Sequence, residues 1–298
     1  MQIISLGDIT INERLQATRY LRGSGIEIGA SHMPIEVDRS CCVVRYVDRL
    51  TATEIEAKFP ELSGSNIVPV DVICDAASEG LRPFADESLD FVIASHLLEH
   101  LPNPLGFLKE CHRVLRNSGI LYLGVPDKDY TFDRDRARTP LAHIVEDLMN
   151  SKVSIDESHV VDYLVNAAKE VIPEDPIERQ RLLEREIGRS FHIHVWTWED
   201  IVDLLRYLLI NQAVTWDVNE VYLPKAVKNE VIFLLKKINL PPNEAIKCFD
   251  SNLQILIERE GALDALIQMS LKVLNNSGPQ WWQPWRRRVS QDLAGQSK

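Results

Sequence analysis

Four short apolar runs, each ending in a turn or an acid, constrain this chain more than any other feature. Gly25-Ile26-Glu27-Ile28-Gly29-Ala30-Ser31-His32 is a β-type run that carries one acid and breaks at a glycine. Asp48 closes the second run, Cys42-Val43-Val44-Arg45-Tyr46-Val47, and Asp75 follows the third, Ile67 to Ile73. Leu89-Asp90-Phe91-Val92-Ile93-Ala94-Ser95-His96 is the fourth. Strand, turn and acid in this order are how an open α/β sheet builds a ligand pocket at its carboxyl edge.

The intervening segments fit helices. Residues 10–22 form a leading helix, and Thr53 to Phe59 a short one with Thr53 as its N-cap. Pro104 to Leu115 places Leu105, Leu108, Cys111, Val114 and Leu115 on one apolar stripe. Asn117-Ser118-Gly119 stops that helix, as glycine does just past a C-terminus, and Ile120 to Val125 is a fifth strand. Strands alternating with helices predict a mostly parallel sheet. From Asp127 to about Arg189 the pattern turns polar and highly charged, with a helix over Ile177 to Ile187, and reads as an insertion over the strand ends. Phe191 to Val195 alternates apolar residues with His, Thr197 caps a helix Trp198 to Leu209, and Val214 to Leu223 and Asn229 to Lys236 are two late strands. Leu240-Pro241-Pro242 marks a boundary before a helix over Ala245 to Leu274. The reading is a domain over residues 1–238, with 127–190 as an inserted helical lid, and a C-terminal helical extension over 239–298.

Composition excludes several function classes. Net charge is −11, with 44 acids against 33 bases, which argues against a broad nucleic-acid surface, since phosphate binding relies on Lys and Arg. The five cysteines, Cys41, Cys42, Cys74, Cys111 and Cys248, form no C-x-x-C pair. They read as reduced thiols in a cytoplasmic protein. The first residues lack the features of a signal peptide, and no run approaches the roughly 20 apolar residues of a membrane span.

The ordered acids suit S-adenosylmethionine (SAM) better than a dinucleotide, because no G-x-G-x-x-G follows the first strand. Gly29 gives the backbone freedom for a tight approach. Glu27 faces the cofactor's ammonium or orders nearby backbone donors. Asp48, 21 positions beyond Glu27, has the spacing of a ribose-binding acid at a strand end. Asp75 is placed to accept from the adenine amine. Ser95 and His96 leave the fourth strand beside the methyl position, and Ala30 and Ser31 complete the first loop.

The chain resembles the class I SAM-dependent methyltransferases, especially the type 11 methyltransferase-domain proteins found beside glycosyltransferases in bacterial polysaccharide gene clusters. The resemblance rests on Ile26-Glu27-Ile28-Gly29-Ala30-Ser31, on Tyr46-Val47-Asp48, and on Ser88 through Leu101, Arg113 through Tyr122 and Val125-Pro126-Asp127. It implies a Rossmann-like, seven-stranded, mostly parallel sheet with a final antiparallel pair, and Glu27, Gly29, Asp48 and Asp75 as cofactor contacts. It also implies methyl transfer, with O-methylation of a small or sugar-bearing acceptor as the expected reaction. The family's first loop usually reads G-x-G-x-G; here it is Gly29-Ala30-Ser31-His32-Met33, with two glycines replaced.

Methyl transfer to an alcohol needs alignment and a proton acceptor, and His suits the second task. His192 and His194 would share one face of a strand, and His159 lies in the insertion. These three are expected to converge above the methyl group, with His194 as the first choice of base; a plain structural role for each is the competing reading. The same three His, with Asp133 or Glu157, also suggest a metal site, but H-x-H without a third ligand at firm spacing is a weak signal, so no metal ligand is assigned. Asp127 through Pro140 is either a substrate loop or a salt-bridged surface loop. The tail combines Trp281, Trp282 and Trp285 with Arg286, Arg287 and Arg288, a composition suited to weak contact with an anionic membrane surface or a protein. Two competing classes stay open: a SAM-fold scaffold within a glycan-assembly complex that has no catalysis of its own, and a nicotinamide-dependent oxidoreductase, against which the absent G-x-G-x-x-G weighs.

Overall fold

The central strands are almost unbroken apolar runs because both of their faces are covered, as in parallel sheets. The computed structural model describes residues 13–187, 190–225 and 229–277, with side chains as far as residue 262. Strands β1 (Gly23–Ile28) and β4 (Leu89–Ser95) lie side by side at the centre, and Phe91 to Ala94 are all buried. Outward from β1 come β2 (Cys42–Asp48) and β3 (Val72–Ile73); outward from β4 come β5 (Leu115–Pro126), then β7 (Glu230–Lys237) and β6 (Trp216–Tyr222). The order is β3-β2-β1-β4-β5-β7-β6. The first five strands run parallel, and β7 is antiparallel to both β5 and β6. The expected seven-stranded α/β sheet with its late antiparallel pair is present.

Side chains alternate between the two faces. Ile26, Ile28, Val92 and Ala94 pack on one side against α3 (Pro104–Val114), α7 (Trp198–Asn211) and the start of α8 (Pro242–Ser277), through Leu105, Leu108, Leu205 and Phe249. Phe91, Ile93 and Tyr122 pack on the other side with Ala17 of α1 (Glu13–Thr18) and Leu21. Between β5 and α7 lie α4 (Leu141–Met149), α5 (Glu157–Asp162) and α6 (Pro176–Ile187). This insertion has its own small core of Val160, Leu164, Leu183, Phe191 and Ile193. No helix among the described residues is long and apolar enough to cross a membrane. The Trp/Arg-rich tail lies outside the described residues.

Several local expectations differ from the structure. The short helix α2 (Ala52–Lys58) is capped by Thr51, not Thr53: Glu54 N–H donates to the Thr51 hydroxyl while the Glu54 carboxylate accepts from Thr51 N–H. This reciprocal capping box outcompetes a lone Thr two residues on. Of the run Ile67 to Ile73, only Val72 and Ile73 pair with β2. Helix α3 stops at Val114, three residues before the expected Asn-Ser-Gly stop, because the carbonyls of Arg113 and Val114 accept from Glu87 and Ser88 N–H and start β5. Phe191 to Val195 forms no strand; Ile193 N–H and His194 N–H both donate to the Glu99 carbonyl instead.

Candidate active site at the carboxyl edge of the sheet

Strand order reverses between β1 and β4, so the loops leaving them diverge and open a crevice at their carboxyl ends. A cavity of 420 Å³ occupies this crevice, within the range of about 300–1,000 Å³ typical of small-molecule sites. Gly29 lines it after β1, Asp48 at the end of β2, Asp75 after β3, and His96, Leu97 and His100 after β4. Gly29 needs its freedom, since its φ is +71°. Ser31 stands where a glycine is usual in such loops, and it too adopts a left-handed φ of +48°. The loop therefore keeps a glycine-like path at Ser31 at a modest strain cost.

Each acid has one oxygen engaged by backbone: Asp48 Oδ1 accepts from Leu50 N–H at 3.1 Å and Asp75 Oδ1 from Ala77 N–H at 3.0 Å. Burial raises the pKa of Asp48, partly offset by the Leu50 hydrogen bond. Leu50, Ile55, Phe59, Leu62 and Ala76 supply an apolar wall nearby. Two carboxylates beside an apolar wall and a tight glycine turn could accept from a diol and an amine and pack against a flat ring.

The other cofactor candidates stand behind this lining. Glu27 is buried; its Oε1 accepts from Ile35 N–H at 2.8 Å and so orders the loop after β1, which is the second of its two expected roles. Its Oε2 has no partner among the described residues, and burial pushes its pKa up to about 7. Ala30 is buried, and Ser95 pairs with Gly124 in the sheet.

The three catalytic candidates do not converge. His192, His194 and His159 are all absent from the cavity wall. His192 joins a cluster around Glu99, while His194 and His159 join His143 and Asp147 on the far side of the same segment. His194 is 1% exposed. Burial, then neighbouring His159 and His143, push its pKa down to about 3, and its side chain does not reach the cavity.

The Glu99 cluster is the part that faces the cavity. Glu99 is fully buried, and its Oε1 lies 3.7 Å from His96 Nδ1, 3.7 Å from His100 Nε2 and 3.8 Å from His192 Nε2. An outer partner fixes each ring. His96 Nε2 lies 3.0 Å from Glu230, which Arg14 also holds; His100 Nδ1 donates to the Phe191 carbonyl at 2.8 Å; His192 Nδ1 lies 2.5 Å from Asp133. Burial opposes the charged form of His96, but Glu230 and Glu99 outweigh it and raise its pKa. For His100 burial wins over Glu99, and its pKa is lowered. His96 and His100 are the members that reach the cavity wall.

The charged loop after β5 spends most of its charge internally. Asp127 accepts from Asp129 N–H and Trp198 N–H, and Asp135 pairs with Lys169. Arg136 is buried and donates to Asp133, Asp162 and the His192 carbonyl. The salt-bridged reading of that loop describes it better than an open substrate loop.

Sequence reasoning passed over Glu99, His100, Glu230, His143 and Asp147 as chemistry. A signal existed for four of them. Glu99 and His100 come three and four residues after His96 in the turn that leaves β4, and His143 and Asp147, four apart on α4, share a face.

Comparison with known proteins bears on this edge of the sheet. Residues 37–123 match the family model of a methyltransferase domain. A protein of Mycobacterium tuberculosis (strain ATCC 25618 / H37Rv), named a probable S-adenosylmethionine-dependent methyltransferase, is 29% identical over 98 residues, covering 30% of this chain and 31% of the relative. A protein of Mycolicibacterium smegmatis with the same description is 32% identical over 94 residues, covering 32% of each chain. The match thus spans about a third of these curated relatives. Among solved structures, a SAM-dependent methyltransferase of Methanosarcina mazei aligns over 74% of this chain and 96% of its own, at 19% identity and a TM-score of 0.39. One from Aquifex aeolicus aligns over 74% and 86%, at 13% identity and a TM-score of 0.36. The matched segment, which holds β2 through most of β5, is similar to a methyltransferase domain and to part of these probable SAM-dependent methyltransferases.

Proposed function

We propose that this chain is a SAM-dependent methyltransferase that methylates a hydroxyl group, with His100 as the proton acceptor. One juxtaposition carries the reading: Gly29, Asp48 and Asp75 share a single cavity with His96 and His100. SAM, when bound, supplies a methyl group already activated on a sulfonium. The protein's own work is then to hold the cofactor, align the acceptor and take a proton.

Asp48 would accept from the ribose diol and Asp75 from the adenine amine, with the ring against the Leu50–Ile55 wall. His100 is suited to the base role because burial favours its neutral form and the Phe191 carbonyl fixes the proton on Nδ1, leaving Nε2 basic. Glu99, 3.7 Å from that nitrogen, would stabilise the imidazolium formed. The base role expected of His194 thus passes to His100, and His192 becomes a positioning residue behind Glu99. The acceptor expected from the family resemblance, a sugar-bearing hydroxyl, is part of the same proposal.

The test is transfer of labelled methyl from SAM to a panel of nucleotide sugars and glycans. An alkali-stable methyl ether on a sugar hydroxyl is the expected product. Binding of SAM with no methylation of any hydroxyl acceptor would overturn the acceptor assignment.

A further inference from the structure

The insertion holds a second cluster that the proposed chemistry does not use. His143 and Asp147 come from α4, His159 from α5, and His194 from the segment after α6. His143 Nε2 lies 3.0 Å from His159 Nε2 and 3.3 Å from Asp147 Oδ2, and His194 Nε2 lies 3.8 Å from the same Oδ2. The ligand atoms of the three His all fall within 4.8 Å of one another. The rings meet edge to face, with centroids 5.0 to 5.7 Å apart.

Left as it stands, this cluster is poorly satisfied. The Pro102 carbonyl lies near the His194 ring, yet neither His194 nitrogen makes a hydrogen bond of good geometry. Asp147 Oδ2 and His159 Nδ1 are also buried without a partner. Two Nε2 atoms facing each other can share one proton, but nothing here serves His194, and burying such groups unpaired is costly.

A cation at the centre would take one nitrogen from each of the three His and Oδ2 from Asp147. Zinc binds His nitrogen at about 2.0–2.1 Å and carboxylate oxygen at about 2.0–2.2 Å in a tetrahedron, so its ligand atoms lie about 3.3–3.5 Å apart. Three of the six separations, 3.0, 3.3 and 3.8 Å, bracket that spacing, and the three His atoms stay within 4.8 Å of one another. Three imidazoles and one carboxylate suit zinc among the common ions, and four protein ligands leave no open position, the mark of a structural site.

We infer that His143, Asp147, His159 and His194 bind a structural zinc ion that ties α4, α5 and the 190–197 segment together. The site stands apart from methyl transfer, since none of its ligands lines the cavity. Its consequence still reaches the cofactor, because Ile155 and Ile193, each close in sequence to a ligand, form part of the cavity wall. The zinc orders that wall from behind.

The test measures metal in full-length, untagged protein, then Zn²⁺ rebinding after chelation. The chelated protein should take up Zn²⁺ and melt at a higher temperature once reloaded. His143→Ala and His159→Ala, each checked by circular dichroism, should remove one equivalent of bound Zn²⁺, or weaken it at least about 100-fold, beyond the ~10–100-fold cost of losing an outer-shell partner. His192→Asn should leave that equivalent in place. Co²⁺ substitution gives a readout independent of folding, since the intense visible bands of four-coordinate Co²⁺ should appear in the wild type and vanish in His143→Ala. A cooperatively melting wild type that binds no Zn²⁺ would overturn the inference. So would Zn²⁺ retained in full by both alanine variants, or lost in His192→Asn, which would place the ion at Glu99 instead.

Discussion

His192 and His194 are two residues apart, yet they serve different surroundings. His192 faces Glu99 beside the cavity, with Asp133 on its other nitrogen. The His194 ring turns the other way, into a closed pocket of imidazoles and one carboxylate where neither ring nitrogen makes a hydrogen bond of good geometry. In the first cluster every ring has an outer partner that fixes its tautomer, and two rings reach the cavity. In the second the rings face one another and the cavity is out of reach. The difference teaches that the residue type does not set the role: His96 and His100, anchored on one nitrogen and facing Glu99 with the other, line the cavity and suit proton transfer, whereas a buried ring of His around an acid suits a cation.

The comparison breaks first at His100. If the Glu99 cluster handles the proton, His100→Asn should lower kcat by roughly 10²–10⁴-fold while affinity for the demethylated cofactor stays the same. Equal turnover would remove the base from this cluster. Next comes Arg136, which holds Asp133 and the His192 carbonyl behind the first cluster and Asp162 on α5, the helix that carries His159 of the second. Arg136→Ala leaves Asp133 buried without its cation and should cost about 3–5 kcal/mol in denaturant unfolding. A loss below about 1 kcal/mol would mean that the insertion is held by other contacts.

A smaller effect distinguishes Glu27 from the surface acids. Its folded pKa, about 7, lies above the ordinary 4.5 because burial disfavours its charge, with Arg39 and Arg14 only partly offsetting this. The protonated form is therefore favoured by folding. Its contribution is fully present below about pH 4.5, is lost as pH rises through about 7, and is absent above. The span is on the order of 3 kcal/mol. Glu27→Gln should flatten this part of the stability–pH curve and raise the melting temperature at pH 8 relative to wild type. An unchanged curve would show that Glu27 is charged throughout. The smallest effect belongs to Thr51→Ala, which removes the α2 cap for about 1 kcal/mol, readable as a small drop in melting temperature.

How much of this was legible in the sequence depends on how far apart the cooperating residues lie. The sheet could be read because β1 and β4 carry their burial as continuous apolar runs, and the Asp48 and Asp75 positions because each follows a strand directly. The late pair β6 and β7 could be read for the same reason. The insertion could not. Arg136 finds Asp162 and the His192 carbonyl, and His194 finds residues on α4 and α5, through folding of a charged segment whose helices are short. Reading Phe191 to Val195 as a strand put His192 and His194 on one face; without strand pairing, the backbone sends them apart. His143 and Asp147 were accessible from their four-residue spacing alone.

The most direct test of the central claim, that the carboxyl edge of this sheet holds SAM, is calorimetric titration of wild type and Asp48→Ala with the demethylated cofactor. Micromolar binding by the wild type is expected, weakened in Asp48→Ala by about 1–3 kcal/mol, the cost of losing a charge-assisted contact. No binding by a wild-type protein that melts cooperatively, or the same affinity in Asp48→Ala, would contradict it.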